Sequence, residues 1–317
     1  MAIRRSLALV AWLAALSFVP TPVSAAPVLP DALVVYDAKS AAGYELFSMT
    51  FDGDDRRQLT DDSRYDSWWP KISPDRTRIM FVRSPRGTHD RDYTKTSIWV
   101  MNADGSDSRE IIPDGAYGWA TLGHPEWSPG GDEIVVFAGT SGNPQIWITD
   151  DDGGAARRVT DRAGQNLDPS WAPDGRSVLF VGCPSKVCQP NAYEVYSINV
   201  DGTGERRLTV DTARDHDPYF SPDGSTIAWL RLGLTWSIFS MEPDGTDQRR
   251  VVGDLVVNSK PAWSTDSAWI LFHRLGTGRS AYTVWRIRPN GTGLVELPRR
   301  GPVYLGPAEE YPVSSAF

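Results

Sequence analysis

The chain carries half of a repeat at each of its two ends, and this limits its fold more than any other feature. The repeat has two markers. The first is a proline, an aromatic or aliphatic residue two positions on, a Ser-Pro-Asp-Gly-like turn and a β-branched run. It reads Pro70-Lys-Ile-Ser-Pro-Asp75, Pro125-Glu-Trp-Ser-Pro-Gly130, Pro169-Ser-Trp-Ala-Pro-Asp-Gly175, Pro218-Tyr-Phe-Ser-Pro-Asp-Gly224 and Pro261-Ala-Trp-Ser-Thr-Asp266, with a truncated copy at Pro312-Val-Ser-Ser. The second is an alternating apolar run ending in Asp-Gly or Asn-Gly, as in Ile98-Trp-Val-Met101 before Asp104-Gly105 or Val284-Trp-Arg-Ile287 before Asn290-Gly291. Asp-Gly and Asn-Gly supply the positive φ that tight hairpins need. A short fourth strand follows, for example Arg57-Gln-Leu-Thr60, Arg158-Val-Thr160 or Arg207-Leu-Thr209.

Four short strands in roughly 43 to 55 residues is the size of a propeller blade. Such strands cannot bury both faces alone, so blade must pack on blade. Five proline markers have a downstream Asp/Asn-Gly partner. The Asp-Gly unit at Leu46-Phe-Ser-Met49 lacks an upstream proline marker, and the marker at Pro312 lacks a downstream unit. Joined, they make a sixth blade. The expected fold is all-β: a six-bladed β-propeller of four-stranded antiparallel blades, closed by the C-terminal strand as the inner strand of the N-terminal blade. Closure removes the sheet edges that invite aggregation.

The N-terminus reads as a targeting segment. Arg4 and Arg5 precede an apolar stretch from Leu7 to Val19, and Val23-Ser24-Ala25 offers small residues at a cleavage site. Residues 1–25 are therefore expected to be a signal peptide and 26–317 a single propeller domain. The apolar run is too short to span a bilayer comfortably, and no later segment is long and apolar enough, so membrane insertion is not expected. The protein is expected to be secreted or periplasmic, and a monomer. Cys183 and Cys188, the only two cysteines, should pair in an oxidising compartment. The formal net charge of −8 argues against a nucleic-acid backbone or an anionic membrane surface as partner.

Trp127, Trp171 and Trp263 share one repeat position, and Trp99, Trp147 and Trp285 share another. That strict phase predicts packing between blades. The full pattern, carried best by Asp168-Pro-Ser-Trp-Ala-Pro-Asp-Gly175 and Asp217-Pro-Tyr-Phe-Ser-Pro-Asp-Gly224, resembles the WD-like repeats of the TolB propeller family. The resemblance implies an extracytoplasmic six-bladed scaffold that recognises a protein partner at one mouth of its channel. That family carries an α/β domain before the propeller. About five residues separate the expected cleavage site from the first strand, so that domain is expected to be missing. The repeats also resemble the propellers of prolyl-oligopeptidase-type peptidases. The chain contains no Gly-x-Ser-x-Gly, which sets that activity aside.

Recognition positions need not repeat. The residue before each marker proline is Trp69, His124, Asp168, Asp217, Lys260 or Tyr311, and two residues earlier blade five offers Asp215. These seven form the candidate ligand-binding ring, placed at the mouth where connections enter the inner strands. The competing reading is that Asp and Asn there only cap turns. The loop Arg83–Thr96, containing His89-Asp-Arg-Asp-Tyr93, should share that face, and repeat phase brings His89, His124, His216 and His273 to it. Asp168, Asp215 and Asp217 could offer oxygen ligands to calcium or another divalent ion, and His124 and His216 nitrogen. The principal expectation is a non-catalytic scaffold binding a protein, peptide or cell-envelope glycan, with no resident cofactor. The alternative is a metal-dependent propeller enzyme of lyase or lactonase type.

Overall fold

A computed structural model describes residues 33–41, 43–50, 55–140, 142–183, 188–189, 193–253, 256, 258–275, 282–296 and 311–312. The expected signal segment lies outside them. The chain forms six four-stranded antiparallel sheets. Blade 1 comprises Leu33–Ser40, Gly43–Thr50, Arg57–Gln58 and Tyr311–Pro312; blade 2 comprises Tyr65–Ile72, Arg78–Pro85, Ser97–Asn102 and Arg109–Ile112. Blade 3 has Thr121–Trp127, Glu133–Thr140, Asn143–Asp150 and Arg157–Arg158; blade 4 has Asn166–Trp171, Ser177–Gly182, Glu194–Asn199 and Arg206–Arg207. Blade 5 has Arg214–Phe220, Ile227–Leu232, Trp236–Met241 and Arg249–Val252; blade 6 has Asn258–Trp263, Ile270–Leu275, Tyr282–Ile287 and Val295–Glu296. Closure occurs as the half-repeats require. Tyr311 pairs with Asp37 and Pro312 with Tyr36, so the last strand takes the innermost place in blade 1. Among the described residues no helix is long and apolar enough to cross a membrane.

The core lies between blades rather than within them. Met80, Val82, Ile98 and Val100 of blade 2 pack with Trp127, Ile134 and Val136 of blade 3. Val135, Phe137, Ile146 and Ile148 of blade 3 pack in turn with Trp171, Val178 and Phe180 of blade 4. The marker tryptophans also tie neighbours together by hydrogen bonds. The indole N–H of Trp127 donates to the carbonyl of Lys71 (3.1 Å), that of Trp171 to Glu126 (3.3 Å) and that of Trp263 to Tyr219 (3.1 Å). In each case the acceptor follows the marker proline of the preceding blade. The expected packing role holds for this ring.

The Asp-Gly turns are also load points between blades. Gly153 sits at φ +86°, and a Cβ there would lie 2.2 Å from the carbonyl oxygen of Ile111 in the preceding blade. Glycine is thus required twice over, for conformation and for space.

The Leu-Thr or Val-Thr that follows three outer strands has a definite job. Thr60, Thr160 and Thr209 each accept from a backbone N–H of the third strand, Leu46, Ile146 and Val195, at 2.9 Å. Thr60 and Thr160 donate to Glu45 and Gln145, the residues before Leu46 and Ile146 in those strands. Blades 2 and 5 have Ser97 and Ser237 at the Glu/Gln position. Their outer strands run four residues and end on buried Ile112 and Val252. Each of these five blades is therefore sealed either by a polar lock or by an apolar one, and the two partners change together.

Candidate functional site

The inner strand of each of blades 2 to 6 is interrupted at its marker proline. The pairing register shifts between Trp68 and Lys71, Gly123 and Glu126, Leu167 and Ser170, His216 and Tyr219, and Ser259 and Ala262. Proline has no N–H for the ladder, so the strand bulges there. The residue before the proline is twisted into the left-handed region: Trp69 at φ 54°, His124 at 46°, Asp168 at 50° and Asp217 at 49°. Such backbone costs on the order of 1 kcal/mol or more per residue, most for an aromatic and least for Asp. The bulge re-aims these side chains so that neighbouring blades meet through them.

Asp168 is the hub. His216 Nδ1 donates to its Oδ2 at 2.6 Å, and Nδ1 of His124 lies 2.7 Å from its Oδ1. Arg214 Nε–H donates to His216 Nε2 at 2.8 Å, which places the neutral ring's proton on Nδ1, facing Asp168. Trp69 stacks on His124 with ring centres 4.0 Å apart. Tyr93 reaches in from the long loop of blade 2, its hydroxyl bonded to Asp90 and 2.8 Å from His124 Nε2. One carboxylate thus joins blades 3, 4 and 5, with blade 2 stacked behind.

Burial disfavours the charge on Asp168, yet the imidazoles of His216 and His124 outweigh it and hold the carboxyl well below the usual range. Burial likewise works against a charged His216, but Asp168 beside it raises its pKa above the ordinary histidine value. Burial pushes the Tyr93 phenol well up, aided by Asp90, and the Tyr219 phenol well up, aided by Asp217 and Glu126. Neither tyrosine is poised to ionise.

Above this floor lies a cavity of about 440 Å³. Trp69, Lys71, Glu126, Asp217 and Tyr219 line its inner end. Trp127, Trp171, Trp263 and Phe220 contribute to its wall, and exposed Pro74, Pro129, Pro173, Pro222 and Thr265 form its rim. The cavity therefore opens among the Ser-Pro-Asp turns, at the opposite end of the inner strands from the mouth expected to hold the ring. Buried Lys71 is already neutralised: its Nζ lies 2.5 Å from Glu126 and donates to the Tyr219 hydroxyl at 3.4 Å.

Of the sequence-derived ring, Trp69 and Asp217 line the cavity, and His124 and Asp168 lie in the network at its floor. Asp215 has no exposed surface and is gripped by Arg231 Nε and Nη2 at 2.7 and 2.9 Å. It braces blade 5 and does not line the cavity. Lys260 and Tyr311 occupy inner-strand positions in blades 6 and 1, and their side chains lie outside the described residues. His89 is buried against Tyr44 and bonded to Asp37 at 3.0 Å, so it staples blade 2 to blade 1 away from the hub. Cys183 and Cys188 are joined by a disulfide.

Sequence reasoning misses Lys71, Glu126 and Tyr219, and reaches Tyr93 only as part of the loop Arg83–Thr96. For Tyr93 a signal exists: Gly123 has no side chain, and a Cβ there would lie 2.5 Å from the Tyr93 ring. Among the described residues, two groups of His and acidic side chains approach closely enough to share an ion, His124 with Asp168 and Asp217, and Glu194 with Asp211 and Asp215. The second is already matched by cations. Arg231 lies 2.7 Å from Asp211 as well as gripping Asp215, and Arg207 lies 2.7 Å from Glu194.

Comparison with known proteins agrees with this architecture. The chain is 30% identical over 150 residues to a Protein TolB homolog of Chlorobium luteolum, covering 47% of this chain and 31% of that one. It is 32% identical over 111 residues to the uncharacterized peptidase YuxL of Bacillus subtilis, covering 35% of this chain and 16% of that one. The chain thus spans about a third or less of these relatives' length. TolB from Acinetobacter baumannii superposes with a TM-score of 0.70 at 17% identity, over 91% of this chain and 68% of that one. An oligogalacturonate lyase in complex with manganese superposes with a TM-score of 0.55 at 15% identity, over 77% and 71%. Both likenesses are of fold. Residues 32–298 match the TolB beta propeller domain, and the chain belongs to that family.

Proposed function

We propose that this propeller is an exported, non-catalytic scaffold that takes a segment of a protein or peptide into the cavity among its Ser-Pro-Asp turns. The observation that carries this reading is the cavity itself: about 440 Å³, walled by tryptophan, phenylalanine and proline, with a few polar groups at its inner end. Mostly apolar concave sites with a few fixed polar groups are what ligands bind, and Trp, Tyr and Arg dominate binding energy. Binding rather than catalysis is supported by the state of the polar groups. Lys71 is spent on Glu126, Asp168 holds His216, and both phenols are held protonated. Export is supported by the N-terminal Arg4, Arg5 and apolar run, and by the disulfide, which persists in oxidising compartments.

A photo-crosslinking side chain at Thr265, on the rim, tests the proposal against one at exposed Val210, which is not part of the cavity. In envelope extract the rim probe should give a discrete, protease-sensitive adduct that the Val210 probe does not. Equal labelling from both positions, or none from the rim, contradicts it. A protease-resistant adduct that a glycosidase removes makes the ligand a glycan instead.

A further inference from the structure

We propose that the cavity selects a cationic side chain, arginine or lysine, from the segment that enters it, and seats the charge against Asp217 among aromatic faces. Resting on the scaffold reading above, the proposal names the ligand chemistry which that reading leaves open. The wall spends its hydrogen-bond donors internally. The indole N–H groups of Trp127, Trp171 and Trp263 go to carbonyls of the preceding blades. The Ser170 hydroxyl donates to the Pro218 carbonyl at 2.6 Å. Ser73, Ser128 and Ser221 donate to Asp75, Asp132 and Asp223 of their own turns, at 2.6, 3.0 and 2.6 Å. What the wall offers an incoming group is ring faces and carboxylate oxygen.

The charges point the same way. Among the described residues, Lys71, Arg76, Glu126 and Asp217 are the charged side chains that line the cavity. Lys71 and Glu126 cancel each other at 2.5 Å. Arg76 belongs to the Ser-Pro-Asp turn of blade 2, and so to the rim. The inner end is left with the charge of Asp217, and Asp168 lies in the floor beneath it. That negative field acts on Tyr219: burial pushes its phenol up, and Asp217, Glu126 and Asp168 push it further.

Aromatic faces attract cations, and more strongly where water is excluded. The chain already uses this at the inner end, where Lys71 Nζ lies 5.4 Å from the Trp69 ring centre and 4.9 Å from that of Tyr219. A second cation, brought by the ligand, meets the faces of Trp127, Trp171, Trp263 and Phe220 on its way to Asp217. A neutral apolar side chain would strip water from Asp217 and return nothing, and an anion would be repelled. Sugar hydroxyls need donors as well as acceptors from a site. Arginine fits best, because its planar guanidinium stacks on rings, forks onto a carboxylate and carries five donors with no acceptor. Lysine, with three donors on a compact charge, comes second.

The test titrates the full mature chain calorimetrically with Gly-Ala-X-Ala-Gly peptides blocked at both ends, X being Arg, Lys, Met or Glu. The Arg peptide should bind at least tenfold more tightly than the Met peptide, with Lys between them and Glu weakest. Asp217→Asn, which keeps a residue tolerant of positive φ, should abolish the advantage of Arg over Met and leave the Met affinity unchanged. Exposed Glu205→Gln should change nothing. Should Asp217→Asn misfold, salt decides instead: raising it from about 50 to about 500 mM should weaken the Arg peptide and spare the Met peptide. Met or Glu bound as tightly as Arg, an Arg preference indifferent to Asp217→Asn or to salt, or no binding by any peptide overturns the proposal. A Met peptide with a free amine that matches the Arg peptide overturns the side-chain assignment in favour of a chain terminus. A discrete rim adduct from the Thr265 probe alongside any of these leaves the scaffold reading standing and removes only the cationic preference.

Discussion

The same inner strands are built differently at their two ends, and the contrast separates scaffold from site. Two residues after the marker proline, Trp127, Trp171 and Trp263 recur, and each bridges to the carbonyl of the preceding blade. One residue before it stand Trp69, His124, Asp168 and Asp217, three residue types in four blades, and all are held in left-handed backbone. Packing one blade on the next poses the same problem around the ring and receives the same answer. The pre-proline positions face one another across blades, so each has its own partner. Strain of this kind persists where the surrounding structure enforces it, and it collects at binding sites.

The largest expected effect comes from breaking the repeated end. Trp171→Ala removes a buried ring and its bond to Glu126, and should cost about 3–5 kcal/mol by urea unfolding. Next is the hub. Asp168→Asn removes the charge that faces both histidines, and should cost about 2 kcal/mol, less than a broken Arg–carboxylate pair because imidazoles can shed their protons. At the strained end the sign should reverse. Asp217→Gly relieves a positive φ and should leave stability unchanged or raise it by up to about 1 kcal/mol. A large loss of stability on that substitution would make Asp217 a packing residue like the tryptophans.

The smallest effects sharpen the comparison within the polar locks. Glu45 and Glu194 occupy the position where blade 3 has Gln145, and burial raises the pKa of both carboxyls. A carboxyl whose folded pKa exceeds its unfolded value binds its proton more readily when folded, so its share of stability falls as pH rises through that range. Glu45→Gln should abolish this slope, and its advantage over wild type should grow from pH 4 towards pH 7 in thermal melts. Glu194→Gln should instead lose a few tenths of a kcal/mol at pH 7, because half-exposed Arg207 loses its partner.

Much of the architecture is legible because it is periodic. The proline and Asp-Gly markers give the number of blades, and the unmatched half-repeats give the closure of Tyr311–Pro312 on the strand at Tyr36 and Asp37. The ring is legible as a set of positions, since a proline inside a strand forces a bulge there. What those positions touch is not. Asp215 looks like its neighbour Asp217, but Arg231, sixteen residues on, faces it across the hairpin and claims it. Tyr93 enters from a loop of another blade, and only the bare Gly123 hints at its ring. Nor does the repeat announce the open cavity, whose volume follows from short Ser-Pro-Asp turns that leave the channel uncovered at that end.

The most direct test is the yield of the rim adduct from the Thr265 probe in an Asp217→Gly background. If the pre-proline residues serve recognition, the adduct should fall at least tenfold while the unfolding midpoint stays at or above that of the parent. An undiminished adduct from an equally stable variant would contradict the assignment of the strained end to binding.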